Sequence, residues 1–192
     1  MKRILFISST RIGDAVLSSG LLAHLAQAHP EAQITVACGP LAAPLFRAAP
    51  GVERVIVMAK RRIGGHWIDL WLKALPHRWD LVVDLRGSAT GWFLNARRRR
   101  VKAKLEFERD PPVHKVVEAA EVLRLDPAPA PVLWLDEAAR AEAAALLPGG
   151  PPILALAPAA SAAFKEWPAG RFAALAARLT GPGGAMAGAR VA

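Results

Sequence analysis

Residues 3–14 read RILFISSTRIGD, an apolar run followed at once by a polar turn and a Gly-Asp pair. The run over 4–7 is typical of a buried strand, and apolar residues recur at helical spacing from Asp14 to Ala28. A strand that leads through a short turn into a helix is the first half of a parallel βαβ unit.

The same alternation continues along the chain. Further strands are predicted at 33–38, 54–58 and 81–85, and helices at 14–28, 68–75, 88–96, 115–123 and 137–147. Strands that alternate with helices indicate an α/β fold, in which a Rossmann-like parallel sheet carries helices on both faces.

Residues 148–152 read PGGPP, the clearest linker in the sequence. We therefore expect a first domain over 1–147, a linker over 148–152, and the incomplete start of a second α/β domain over 153–192. A strand at 153–157 and a helix at 168–179 are its only predicted elements. Because they cannot bury both of their faces alone, we expect docking on the first domain, self-association with a second chain, or disorder near 181–192.

The composition is that of a globular protein: 192 residues, 53% hydrophobic, with Cys38 as its single cysteine. One cysteine excludes a disulfide framework and a cysteine-rich zinc site, and it agrees with a reducing cytoplasm. No apolar stretch approaches the roughly 18–20 residues of a membrane span. The first apolar run is broken by Ser8, so it predicts a strand rather than a signal peptide.

The net charge of +9 predicts an anionic partner: nucleic acid, acidic lipid or a phosphorylated substrate. Basic residues cluster at Lys60-Arg61-Arg62 and at Arg97–Arg100. The second cluster is explained equally well as a solvated face. Nucleic acid is the weakest option, because few aromatic residues interleave with the arginines.

Asp14 follows the turn at the carboxyl edge of the predicted sheet, where ligands of open parallel sheets bind. The turn lacks the G-x-G-x-x-G spacing and the Gly-Lys-Ser/Thr of the two common phosphate-binding loops. Asp14 has two interpretations, a helix cap and a general base that accepts a proton from a substrate hydroxyl. Gly13 would let a substrate approach the backbone closely.

A second polar turn, residues 158–168, reads PAASAAFKEWP. Pro168 fits the first turn of a helix, and Lys165 would then lie near the positive end of that helix. Such a turn suits a diphosphate. The alternative is an exposed loop lysine.

Together with the segment DLVVDLRG at 80–87, these residues resemble the ADP-heptose:lipopolysaccharide heptosyltransferase family, which is glycosyltransferase family 9 of the GT-B fold. The resemblance lies in the order of GDAVLSS at 13–19, the 80–87 segment, and Ser161 with KEWP at 165–168. It covers the chain nearly end to end. The family's later donor motif of the Asp/Gly/His type is absent, since no Asp or His follows Lys165, and the chain is therefore expected to be truncated in its second domain.

The resemblance implies an inverting transferase that moves a heptose from ADP-heptose, or another sugar from its nucleotide, to the lipopolysaccharide inner core. Asp14 would be the base, and Lys165 with Ser161 would bind the donor diphosphate without a metal or other cofactor. Gly13, Lys60, Arg61 and Arg62 would bind the acceptor, of the Kdo-lipid A type. The protein would be cytoplasmic and peripheral on the anionic inner face of the inner membrane. The alternative is a non-catalytic basic module that binds an anionic glycolipid or another polyanion.

Overall fold

The structure is a computed structural model that describes residues 1–61, 64–103, 113–147, 149–160 and 162–192. It divides into two compact units, Met1–Asp136 and Glu137–Ala192. The sequence places the domain boundary later, at 148–152. The two boundaries differ in where they place one helix, over 137–146. None of its described residues is buried, so packing does not assign the helix to either domain, and the domain limits remain a prediction.

The first unit is a five-stranded parallel sheet in the order β3-β2-β1-β4-β5. Its strands are β1 (Arg3–Ile7), β2 (Gln33–Cys38), β3 (Val52–Val57), β4 (Trp79–Asp84) and β5 (Ala96–Val101). Its helices are α1 (Ile12–Leu17), α2 (Ser19–Ala28), α3 (Ala43–Arg47), α4 (Gly65–Ala74) and α5 (Lys115–Ala120), with short 3₁₀ helices at Ala89–Gly91 and Glu121–Leu123. The predicted Rossmann-like fold is confirmed.

The sheet is buried on both faces, as a parallel sheet must be. Along β1 the side chains alternate between two apolar clusters: Ile4 and Phe6 join one, and Leu5 and Ile7 join the other. All four are fully buried. The apolar run that opens the sequence is thus the middle of the core.

Two helix predictions were inaccurate. The helix expected over 14–28 is interrupted at Ser18, because the hydroxyls of Ser18 and Ser19 donate to the carbonyls of Ala15 and Val16 and compete with the backbone ladder. The helix expected over 88–96 is wrong: only Ala89–Gly91 is helical, and the arginine run that follows is the edge strand β5.

The second unit contains α6 (Glu137–Leu146), β6 (Ile153–Leu154), a 3₁₀ turn at Ala163–Lys165, α7 (Ala169–Thr180) and β7 (Arg190–Val191). Strand β6 is shorter than the predicted 153–157, and it pairs in parallel with β7. The terminal segment thus supplies the neighbour of β6, an arrangement that none of the three sequence expectations included.

Candidate functional site

The strand order of the first unit reverses between β1 and β4, which is the point where ligands bind in open α/β sheets. A cavity of about 590 Å³ lies there, at the carboxyl ends of the strands. Its charged lining residues are Arg11, Asp14, Arg86, Lys102, Lys115 and Glu118. We refer to this cavity as the switch-point pocket.

Asp14 is exposed in the first turn of α1 and lines the switch-point pocket. Its Oδ2 accepts a hydrogen bond from the Ser9 hydroxyl at 3.3 Å, and the Ser9 hydroxyl oxygen accepts one from the Arg11 backbone N–H at 3.1 Å. The carboxylate accepts a hydrogen bond from a serine and none from the free N–H groups of the helix, so Asp14 does not act as a helix cap. Ser9 instead holds one carboxylate oxygen, and the other oxygen has no partner among the described residues.

Glu118 links two lysines on one side of the same pocket. Its Oε1 lies 2.5 Å from Nζ of Lys102, just after β5, and its Oε2 lies 2.6 Å from Nζ of Lys115, at the start of α5. The hydrogen bonds from the two lysines lower the pKa of Glu118. The carboxylate therefore stays ionised and fixes two ammonium groups at the pocket.

Arg86 follows β4 and is held from two sides. Its guanidinium donates to the Thr10 hydroxyl at 3.0 Å and lies 5.7 Å from the centre of the Trp67 ring. With Arg11, Lys102 and Lys115 it makes four cations in a pocket with two carboxylates. The excess of positive charge suits an anionic ligand.

Asp84, the last residue of β4, is fully buried and organises the turn that presents Arg86. Its carboxylate accepts from the backbone N–H groups of Arg86 at 2.8 Å and Ser88 at 2.9 Å, and from the Ser88 hydroxyl at 2.6 Å. Burial raises the pKa of Asp84, and these hydrogen bonds oppose the rise. Sequence reasoning missed this role, for which an aspartate at the end of an apolar strand is the signal.

The predicted acceptor residues are only partly assembled. Gly13 is in the first turn of α1, and a Cβ atom placed there would meet nothing within 4 Å. Lys60 and Arg61 are exposed and are not among the lining residues of the switch-point pocket, and Arg61 pairs with Asp69 of α4 at 3.0 Å. Arg62 lies outside the described residues.

The predicted donor residues belong to the second unit. Lys165 ends the 3₁₀ turn at 163–165, is exposed, and lies 5.6 Å from the centre of the Phe164 ring. Trp167 packs edge-on against Phe172 of α7, with 5.1 Å between the ring centres, so the loop is held on the helix. Helix α7 begins at Ala169, after Pro168 as the N-cap residue. Ser161 lies outside the described residues.

Two further features are absent from the described residues. These residues contain no group of His, Cys, Asp and Glu side chains suited to hold a metal ion. Among them, no helix has the length and apolar character needed to cross a membrane.

A sequence model of glycosyltransferase family 9 (heptosyltransferase) matches residues 77–186, which is more than half of the chain. The chain belongs to glycosyltransferase family 9. The matched range includes the Asp84–Ser88 turn and Lys165, whereas Asp14 precedes it. A comparison with curated protein sequences finds no significant match.

Solved structures of family 9 share the fold. A glycosyl transferase family 9 protein from Veillonella parvula matches with a TM-score of 0.71 and 18% identity, over 91% of this chain and 58% of its own. E. coli ADP-heptose lipopolysaccharide heptosyltransferase II matches with a TM-score of 0.68 and 22% identity, over 93% of this chain and 61% of its own. E. coli heptosyltransferase WaaC with ADP matches with a TM-score of 0.64 and 17% identity, over 98% of this chain and 66% of its own. The chain thus spans about three-fifths of the length of these family 9 structures.

Proposed function

We propose that this chain is the acceptor-binding part of an inverting glycosyltransferase. The reaction is transfer of a heptose from ADP-heptose, or of another sugar from its nucleotide, to the inner core of lipopolysaccharide. The observation that carries the proposal is the position of Asp14: a carboxylate with one unpartnered oxygen, in a cationic pocket at the reversal point of the sheet.

In this proposal Asp14 is the general base. Its unpartnered oxygen takes the proton of the acceptor hydroxyl as that oxygen forms a bond to the anomeric carbon of the sugar. The bond from the anomeric carbon to the diphosphate breaks on the opposite face, and the configuration inverts. Ser9 keeps the carboxylate oriented for this step, because it holds the other oxygen.

The cations of the switch-point pocket bind the acceptor. Arg86, Lys102 and Lys115 are placed by hydrogen bonds and ion pairs before any ligand arrives, so they lose little conformational freedom on binding acidic sugars of the Kdo type. Gly13 and the basic segment 60–62 extend the acceptor contact. That segment also suits an anionic membrane surface, consistent with a cytoplasmic protein at the inner face of the inner membrane.

Lys165 and Ser161 are the proposed contacts of the donor diphosphate. The charge of Lys165 offsets the negative charge that develops on the leaving diphosphate, which is why the proposal includes no metal or other cofactor.

The test separates binding from transfer. Calorimetry with a Kdo-lipid A acceptor should show binding by the full chain and by Asp14→Asn, since a base is not needed to bind. Transfer from ADP-heptose should fall by at least about a hundredfold in Asp14→Asn and stay unchanged in Glu31→Gln, which alters an exposed carboxylate outside the pocket.

The outcomes distinguish the two candidate functions. Acceptor binding without donor binding at millimolar ADP-heptose would favour the non-catalytic module that binds an anionic glycolipid. That module is favoured by one observation, namely that all the lining residues of the switch-point pocket belong to the first unit. Failure of the acceptor to bind would overturn both.

A further inference from the structure

A second charged cavity lies at the opposite edge of the sheet. It has a volume of about 620 Å³ and is lined by the residues before β1, the second half of α2, the start of β4 and most of the length of β5. Its basic and titratable lining residues are Lys2, His24, His29, Arg97, Arg98 and Arg100, and Asp80 is its one carboxylate. We refer to it as the amino-edge pocket. Its lining shares no residue with that of the switch-point pocket.

The four arginines of β5 have different environments. Arg99 donates to the carbonyls of Gly91, Leu94 and Ala96 and so fixes the loop before its own strand. The side chains of Arg97, Arg98 and Arg100 have no hydrogen bond or ion pair within the described part of the chain, and all three residues line the amino-edge pocket. One arginine is therefore structural, whereas the guanidinium groups of the other three are not paired with a carboxylate and line a cavity.

Residues from other elements add to this charge. Nζ of Lys2 lies 3.1 and 2.9 Å from the two ring nitrogens of His29. An ammonium group only donates, and a neutral imidazole has one accepting nitrogen, so a hydrogen bond from Lys2 to one of the two nitrogens requires His29 to be neutral. Burial, followed by the charge of Lys2, lowers the pKa of His29. Asp80 offsets part of the positive charge, and its Oδ2 accepts from the Arg3 backbone N–H at 2.9 Å.

The arginines of β5 have a simpler explanation, since charged residues on an edge strand prevent it from pairing with another sheet. That use explains arginines on β5 but not their convergence with Lys2, His24 and His29 on one concave site. Several arginines around a cavity match the oxygens of a phosphate group, which they bind through paired hydrogen bonds.

We propose that the amino-edge pocket is a second binding site, for a phosphate group carried by a lipid headgroup or by a small soluble molecule. It is separate from the proposed transfer site and does not depend on the function of Asp14. A bound phosphate would accept hydrogen bonds from Arg98 and Arg100 and would neutralise Lys2.

The experiment uses the full chain and two probes, inorganic phosphate and phosphatidylcholine vesicles that contain phosphatidylglycerol. The readout is the imidazole NMR signals of His24 and His29, which report this pocket and not the switch-point pocket. The test variant is Lys2→Gln/Arg98→Gln/Arg100→Gln. The control is Arg54→Gln/Lys73→Gln/Arg78→Gln, which removes the same charge from exposed positions outside the pocket.

At least one probe should shift both histidine signals, and the test variant should weaken its binding by at least about tenfold while the control changes it less than about twofold. A response to inorganic phosphate identifies a soluble ligand, and a response to vesicles alone identifies a lipid headgroup. Equal losses in the two variants would mean general electrostatic attraction and would overturn the site, as would unshifted histidine signals with both probes. Thermal unfolding checks that the test variant is folded, and Arg98→Gln alone replaces it if it is not.

Discussion

Gly13 occupies the second position of α1, where a Cβ atom would have open space around it and where φ is not positive. Neither packing nor backbone conformation therefore requires glycine. Gly13→Ala should stabilise the protein by about 0.5–1 kcal/mol, because alanine favours the helix and restricts the unfolded chain. Urea denaturation measures this change.

The same substitution should weaken acceptor binding if the acceptor passes over this backbone. Gly170 is a matched control, since it is also the second residue of its helix, α7, with nothing within 4 Å of an added Cβ atom. Gly170→Ala should leave acceptor affinity unchanged. If Gly13→Ala also leaves it unchanged, Gly13 is not an acceptor contact.

Cys38, the last residue of β2, is fully buried, and burial raises its pKa to about 11. Thiols react as thiolates, so at pH 8 the native thiol should react with an aromatic disulfide reagent at least about a hundredfold more slowly than the unfolded chain does. Stopped-flow labelling with and without guanidinium compares the two rates. Native labelling as fast as unfolded labelling would show that β2 is accessible.

At the scale of elements, the local sequence pattern predicted most strands correctly. It failed for strand β5, whose conformation depends on tertiary contacts. Strands β1, β2 and β4 are mostly apolar, and their predicted positions agree with the structure to within two residues. Strand β5 has the sequence ARRRRV, which no strand propensity favours. It forms because its backbone hydrogen-bonds to the edge of β4, and because the Arg99 side chain donates to carbonyls of the preceding loop.

The candidate site shows the same division. Asp14 was predictable because its turn directly follows a recognisable strand. Lys102, Lys115 and Glu118 belong to no motif, and only the packing of α5 near the end of β5 brings them to Asp14's pocket. Asp84 is adjacent in sequence to the turn it organises, but its burial and its three hydrogen bonds depend on the sheet.

Glu118 connects α5 to the end of β5 through its two ion pairs, so removing its charge should lower the free energy of unfolding. Glu118→Gln should destabilise the protein by about 1–2 kcal/mol at pH 7, since the side chain is only 12% exposed and its two charged hydrogen bonds would be weakened. Glu142→Gln, on an exposed position of α6, is the control.

The pH dependence has a defined sign. The folded pKa of Glu118 is lowered from 4.5, so its contribution is complete above that value and is lost as pH falls through the folded pKa. The difference in unfolding free energy between the parent and Glu118→Gln should therefore shrink below about pH 4.5. A difference that persists at pH 2 would mean that the substitution acts through packing rather than through charge.

At the scale of the whole molecule, the two units differ in their buried cores. The first contains two clusters of buried apolar residues, one on each face of the sheet. In the described part of the second, Ala176 is the one buried residue, while Leu146 and Phe164 are 73% and 86% exposed. Burial of apolar area is the main source of stability, so the units should open with very different free energies.

Hydrogen exchange followed by mass spectrometry tests this difference on the full chain. Amides of β1 and β4 should exchange only through global unfolding, whereas those of α7 should exchange at least about a hundredfold faster, because a helix whose one buried residue is an alanine has little to hold it closed. The strands β6 and β7, with two residues each, should behave like α7. Protection of α7 equal to that of β1 would mean that its apolar residues, Phe172 and Leu179 among them, are covered in solution. Repeating the measurement across a concentration series would then identify the cover, since protection by a second copy of the chain must weaken on dilution and protection within one chain must not.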